Sequence, residues 1–494
     1  MTIAARPAPG VPALPAASFR RYGTPVKSTL QEFVMQKLSS RRLRLAALSI
    51  ALCAAVGAAG AQGFGQPALD FKGAVRAASP VVKAGDTVEL DGSGFQPGQT
   101  VTLLRGETVL NAQPWTADAE GRFKGNVQIP ADAVTGRHPV VVRAANPDAA
   151  VVFDLKISKD VPLSGAERYD VTTNKLVQGL YQVAHSEASN ALFVTAAVGR
   201  PPVTRSELLK LDPDTLEITA RVTPAQVEGQ TDARVYAVYG VAVDDVNGNV
   251  WVTNTRDDTV AVYRQSDLSL VKQFDKGVLP HGRDVVVDTK DNRVWASGFG
   301  GGKFVAFDAK TLEVVQDLTV ASAVRGEEFG PMALTLDRAA GKLYSVGLST
   351  GEVVVLDGAT GAVDRMFRFP SINGGIGVAI DPEGRRLYVA AQGSDNLVIA
   401  NADTGEVLHD VYVGAGAVYV AFDPHSKLAY VASRGAGTIT AVDANGTIVA
   451  NLDGGTLPNH VLPTGNGTVY AVNKSRGAED QDGDQIRRIT PKTN

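Results

Sequence analysis

The feature that most constrains this chain is a spacing that recurs seven times. Phe193, Trp251, Trp295, Tyr344, Tyr388, Tyr430 and Tyr470 each open a short apolar run. Seven residues before each stands Ser186, Asp244, Asp288, Asp337, Asp381, Asp423 or Pro463. Between the two lie hairpin residues such as Asn247-Gly248-Asn249, Asp291-Asn292, Gly341 and Glu383-Gly384, which suit tight turns between antiparallel strands. A third run ends in a second turn, as in Asp357-Gly358-Ala359-Thr360-Gly361 and Asn401-Ala402-Asp403-Thr404-Gly405, and a fourth run follows. Four short strands in a unit of 40 to 58 residues predict one blade of a β-propeller. A lone blade cannot bury both its faces, so seven copies predict a closed ring, a seven-bladed β-propeller over 168–494. The last copy ends at its third strand, residues 486–490, while residues 169–173 precede the first copy without a role of their own. We expect that segment to supply the missing strand and remove two exposed edges. Stacked leucine-rich or parallel β-helix repeats have shorter periods and fit these spacings less well.

The strand openings Trp251-Val252-Thr253-Asn254, Tyr388-Val389-Ala390-Ala391, Tyr430-Val431-Ala432-Ser433 and Tyr470-Ala471-Val472-Asn473 resemble the Tyr-Val-Thr-Asn repeat of the YVTN propellers, which include the YncE-like periplasmic proteins. The resemblance spans 168–494 and implies the propeller fold. It leaves function open, because that family includes surface-layer proteins, a periplasmic DNA binder and many members without known ligands; related propellers include lactonases and a streptogramin lyase.

Residues 67–160 read as a separate all-β unit. Short strand candidates at 87–90, 101–104, 121–130, 140–143 and 151–155 are separated by turn clusters such as Gly92-Ser93-Gly94-Phe95-Gln96-Pro97-Gly98. That pattern predicts a small β-sandwich. The Gly-Ser-Gly-Phe-x-Pro-Gly stretch resembles immunoglobulin-like domains of the IPT/TIG kind.

The first 61 residues are different in kind. They carry eight Lys or Arg against one acid, leaving a net charge of about −11 on the rest. Arg41-Arg42-Leu43-Arg44, the apolar run 45–56 and Ala59-Gly60-Ala61 predict a signal peptide over 35–61, cleaved before Gln62, with no stable membrane span afterwards. Residues 1–34 lack periodicity and precede Met35, so they read as an extension ahead of the natural start. The single cysteine, Cys53, falls in the leader, which suits a periplasmic or secreted protein.

In a propeller, the loop entering the innermost strand and the loop after the second strand share one face. Counting along the repeats brings Tyr181, Tyr239, Arg283, Asp284, Tyr419 and Asn459 to the channel mouth, with Arg256, Arg434, Lys474 and Arg476 from the second set of loops. Tyrosines among cations suit an anionic, ring-bearing ligand. Asp257, Asp258 and Asp395 lie in the same loops, so an ordinary solvated face is the alternative. The mouth is poor in carboxylates, which disfavours metal-assisted lactone hydrolysis. His281 and His460 are the candidates for acid–base chemistry of a lyase. Asp480, Asp482 and Asp484 resemble an Asp-x-Asp-Gly-Asp calcium loop but lack the later bidentate Glu and flanking helices of an EF-hand; calcium is the one cofactor the sequence suggests. The reading is of a binding or scaffold module for an unidentified protein or small molecule, with nucleic acid disfavoured by the acidic body.

Overall fold

The computed structural model describes residues 70–492; the expected extension and signal peptide lie outside them. The described chain is all-β, with two single-turn 3-10 segments beside its strands. No helix among these residues is long and apolar enough to cross a membrane.

The repeats fold into seven four-stranded antiparallel sheets. Their first strands are Leu180–Ser186, Val238–Asp244, Gly282–Asp288, Pro331–Asp337, Gly375–Asp381, Ala417–Asp423 and Pro458–Pro463. Each first strand neighbours the next, and the seventh neighbours the first, so the row closes on itself around a central channel. The seventh sheet takes its outer strand from Tyr169–Lys175, which pairs antiparallel with Gln485–Pro491 from Tyr169↔Pro491 to Lys175↔Gln485. This is the segment that the sequence left without another role.

Both recurring residues have a physical task. The Asp ending a first strand accepts backbone N–H groups of the hairpin that follows. Asp244 accepts from Asn247 at 3.1 Å, Asp337 from Ala340 at 3.0 Å, and Asp381 from Gly384 at 3.0 Å, which fixes each turn. The aromatic residue reaches the neighbouring sheet. Trp295 Nε1 donates to Gly358 O at 3.0 Å, and Tyr470 Oη donates to Pro213 O at 2.9 Å across the closing seam. Trp251, Trp295, Tyr388 and Tyr430 are fully buried between sheets. The second strands are covered on both faces, whereas fourth strands such as Val314–Thr319 alternate exposed and half-buried residues, so the apolar core lies between sheets and thins outward.

Ahead of the ring, a three-stranded sheet (Ala74–Ala77, Thr87–Ser93, Phe123–Gln128) packs on a five-stranded one. Val88, Leu90 and Phe123 from the first meet Val101, Leu103 and Val142 from the second in one core. The five-stranded sheet ends in Ala149–Ile157, which docks on the ring. Lys156 Nζ lies 2.6 Å from Asp395 Oδ1 and 3.1 Å from Gln392 O, while Ser158 Oγ donates to Asp395 Oδ2 at 2.7 Å. Asp395 is buried and also accepts from Gly416 N at 2.7 Å.

Two outcomes follow. Chains starting at Glu167 or at Leu176 both lack the sandwich, but only the first keeps the closing strand. The shorter should melt roughly 10 °C lower by calorimetry, since it exposes a sheet edge and uncovers the seam; equal midpoints would show the ring to be independent of that strand. In the full chain, Lys156→Ala should cost about 3 kcal/mol in urea unfolding, because a buried carboxylate loses its counter-charge. A loss below about 0.5 kcal/mol would mean that solvent screens the pair.

Candidate ligand-binding site at the ring mouth

Every first strand carries an irregularity near its start. The register against the second strand shifts between Leu180 and Val183, Val238 and Val241, Gly282 and Asp284, Pro331 and Leu334, Gly375 and Gly377, Ala417 and Tyr419, and Pro458 and His460. Such a bulge breaks the alternation of side chains, so two consecutive residues can approach the same cavity. In three sheets the hydroxyl two residues after the recurring aromatic serves the bulge backbone. Gln182 N donates to Thr195 Oγ1 at 3.2 Å, Gly240 N to Thr253 Oγ1 at 2.9 Å, and Asp284 N to Ser297 Oγ at 3.2 Å. Thr195 and Ser297 also donate to Tyr239 O and Met332 O of the next sheet.

The bulges and the loops after the second strands enclose a cavity of about 250 Å³. Of the residues the sequence singled out, Tyr181, Arg283, Asp284, Tyr419, Arg434, Asn459 and Lys474 line it. Tyr239 and Arg256 line an adjoining recess shared with Tyr181, Arg283 and Lys474. The Tyr181 and Tyr239 rings meet edge to face at 4.9 Å; Lys474 Nζ stands 4.8 Å from the Tyr181 ring and Arg256 stands 5.9 Å from that of Tyr239. Arg434 donates to Asn459 Oδ1, and Asn459 Nδ2 donates to Tyr181 O at 2.5 Å, joining the sixth, seventh and first sheets. Gln392 also lines the cavity and was missed. Its signal was present: it lies four residues after Tyr388, as Arg434 does after Tyr430 and Lys474 after Tyr470.

The expected balancing acids point elsewhere. Asp395 is engaged by the sandwich, Asp258 Oδ1 accepts from His281 N at 2.8 Å, and Asp257 is buried with a backbone bond from Ala237. Among the described residues no carboxylate lies within ion-pair distance of Arg256, Arg283, Arg434 or Lys474. Arg434 Nε is buried without a hydrogen-bond partner. Burial and then the Arg434 charge, with smaller effects of Arg256 and Arg283, bring the Lys474 ammonium down to about 8 against the opposing charge of Asp484. Arg434 is itself lowered by burial and by Arg283.

Beneath the cations, Asp284 is buried and accepts from Leu334 N at 2.9 Å, Val285 N at 3.0 Å and Gln182 Nε2 at 3.2 Å. Burial raises it to about 6 against those bonds. Burial and the neighbouring Asp284 charge push the Tyr419 hydroxyl upward. The Tyr419 ring lies 4.1 Å from that of His460, tilted by 48°, and His460 Nδ1 accepts from Val183 N at 3.5 Å.

Three expectations need correction. His281 and His460 do not form a pair: His460 lines the channel below the mouth, whereas His281 is half-buried against Phe299 and lines neither cavity. The two occupy different places in the repeat, His281 seven residues before Asp288 and His460 three before Pro463. Arg476 is exposed and outside the mouth, its backbone N donating to Asp480 Oδ2 at 2.9 Å. The acidic loop is occupied by the protein itself. Asp480 Oδ1 accepts from Thr456 Oγ1 at 3.0 Å, Asp482 O from Thr456 N at 3.0 Å, and Asp484 Oδ1 from Gly179 N at 2.8 Å. Among the described residues no three His, Cys, Asp or Glu side chains gather to hold a metal ion.

No family model matches the chain. It is similar to an uncharacterized protein YncE of Salmonella typhi, 24% identical over 333 residues, covering 64% of this chain and 88% of the relative. An uncharacterized YncE of Escherichia coli K12 is 23% identical over 234 residues, covering 46% of this chain and 50% of that protein. Among solved structures, a streptogramin B lyase superposes with TM-score 0.50 at 13% identity, covering 67% of this chain and all of its own. U3-55K does so with TM-score 0.52 at 9% identity, covering 65% and 98%. These likenesses show the fold, a β-propeller.

Burial drives the His460 imidazole down to about 3. Unfolding restores its ordinary value near 6.5, so the unfolded chain takes up a proton first and His460 lowers stability progressively as pH falls below that value. Nuclear magnetic resonance should find its ring neutral, with the proton on Nε2, throughout pH 7.5 to about 5. A titration midpoint above 5.5 would contradict the packing described.

Proposed function

We propose that this protein is an exported, seven-bladed β-propeller carrying an immunoglobulin-like sandwich, and that it binds a small anionic ligand at the channel mouth without turning it over. One observation carries the reading: Arg283, Arg434 and Lys474 converge on one cavity, and among the described residues no carboxylate is paired to them. Like charges brought together and desolvated cost free energy in the empty protein, and an anion received among them offsets that cost with charge-assisted hydrogen bonds. The net charge near −11 outside the first 61 residues makes the contrast local, so the cations act as a focus and not as part of a basic surface. Tyr181 and Tyr239 add aromatic faces beside them. Export rests on the basic, apolar and small-residue pattern of 35–61. A lyase reading, suggested by the streptogramin B lyase neighbour, finds no support in the separated histidines.

Calorimetry at low salt with inorganic phosphate, malonate and pyruvate tests this. At least one should bind at one site per chain, tighten as salt falls, and weaken about tenfold in Arg434→Gln, the loss of a charge-assisted bond. No heat with any of the three would overturn the reading. A salt-sensitive gel shift of single-stranded DNA, abolished in Arg434→Glu/Lys474→Glu, would reassign the mouth to nucleic acid.

A further inference from the structure

Lys474 differs from its neighbours in one respect that matters chemically. Arginine holds its charge at any ordinary pH, whereas a lysine amine surrounded by fixed cations is the group that yields its proton. Lys474 stands in that position: it shares the mouth with Arg283, Arg434 and the buried Asp284, has Arg256 in the adjoining recess, and rests on the Tyr181 ring at 4.8 Å; among the described residues no carboxylate is in ion-pair reach, and Asp484 acts on it only from farther off. Desolvation beside other cations is how a lysine becomes a nucleophile toward carbonyl carbon. Its ammonium near 8 is consistent with that geometry.

We propose that Lys474 captures a short-chain oxo acid covalently, as an imine, while Arg283 and Arg434 hold the acid's carboxylate; this rests on the anion-binding reading above. The amine lone pair attacks the carbonyl carbon and the carbonyl oxygen takes up a proton, giving a carbinolamine. Loss of that oxygen as water leaves a C=N bond to Nζ. One water is released, nothing is oxidised or reduced, and solvent at the partly exposed mouth carries the protons. The ligand must be small, because the cavity is about 250 Å³. It must be anionic as well as carbonyl-bearing, because the amine lies among guanidinium groups. The iminium restores the charge that the amine gave up, so the bound carboxylate stabilises the adduct more than the free amine, and capture favours an oxo acid over a neutral aldehyde or ketone.

The test is reductive trapping on the full chain. Pyruvate with cyanoborohydride should yield one reduced adduct per protein, mapped by peptide mass to Lys474, while acetone at the same concentration yields none there. Lys474→Arg should abolish the adduct, and Arg434→Gln should reduce trapping about tenfold at fixed pyruvate. Pyruvate that binds in calorimetry without an adduct on Lys474 would overturn covalent capture and leave the anion site standing. Adducts spread over exposed lysines would also overturn it. Neither binding nor trapping of any oxo acid, together with silence toward phosphate and malonate, would remove the anion site itself.

Discussion

A sheet whose second and third strands are apolar on both faces can be buried only between two others. A row of such sheets leaves two faces bare unless it closes, and closure is the constraint on which the rest of this structure depends. The chain meets it by pairing Tyr169–Lys175 with Gln485–Pro491, so the last sheet is stitched from both ends of the repeat region. Tyr470 Oη on Pro213 O then makes across the seam the kind of joint that Trp295 makes with Gly358 inside the ring. Because closure fixes the circumference, it also fixes which side chains face one another over the channel. Arg283 of the third sheet and Arg434 of the sixth share a cavity only because the ring is complete.

The mouth exploits a second constraint, the bulge at the start of every first strand. A regular strand would send Tyr181 and Gln182, or Val418 and Tyr419, to opposite faces. The bulge brings both members of each pair to the cavity. Backbone groups displaced from the ladder find hydroxyls on the second strand, which gives a local reason for threonine or serine two residues after the aromatic in the first three sheets. The last four place alanine or valine there, and the Arg434–Asn459–Tyr181 hydrogen bonds link the sixth, seventh and first sheets.

The sandwich is part of this arrangement. Lys156 and Ser158 hold Asp395, Asp395 accepts from Gly416 N, and Gly416 O accepts from Arg434 N at 2.8 Å. The carboxylate that the sandwich engages is one of those that sequence reasoning counted against the cations. Asp395 pairs with Lys156, and among the described residues no carboxylate pairs with Arg434 or Lys474.

The sequence by itself determined the number and order of the repeats, their hairpin turns and the strand that closes them, because aromatic burial and Asp-capped turns are local and recur at a fixed offset. It also put Tyr181, Arg283, Asp284, Tyr419, Arg434, Asn459 and Lys474 on one face, since that follows from position within a repeat. Gln392 was legible by the same offset. What only the tertiary structure decided is which charges meet. Arg476 turns away, Asp480 and Asp484 of the acidic loop are held by Thr456 and Gly179, and Asp395 is drawn to the sandwich. Each of these depends on a loop direction or on a contact between residues more than two hundred positions apart, as Lys156 and Asp395 are, and repeat periodicity carries no information about either.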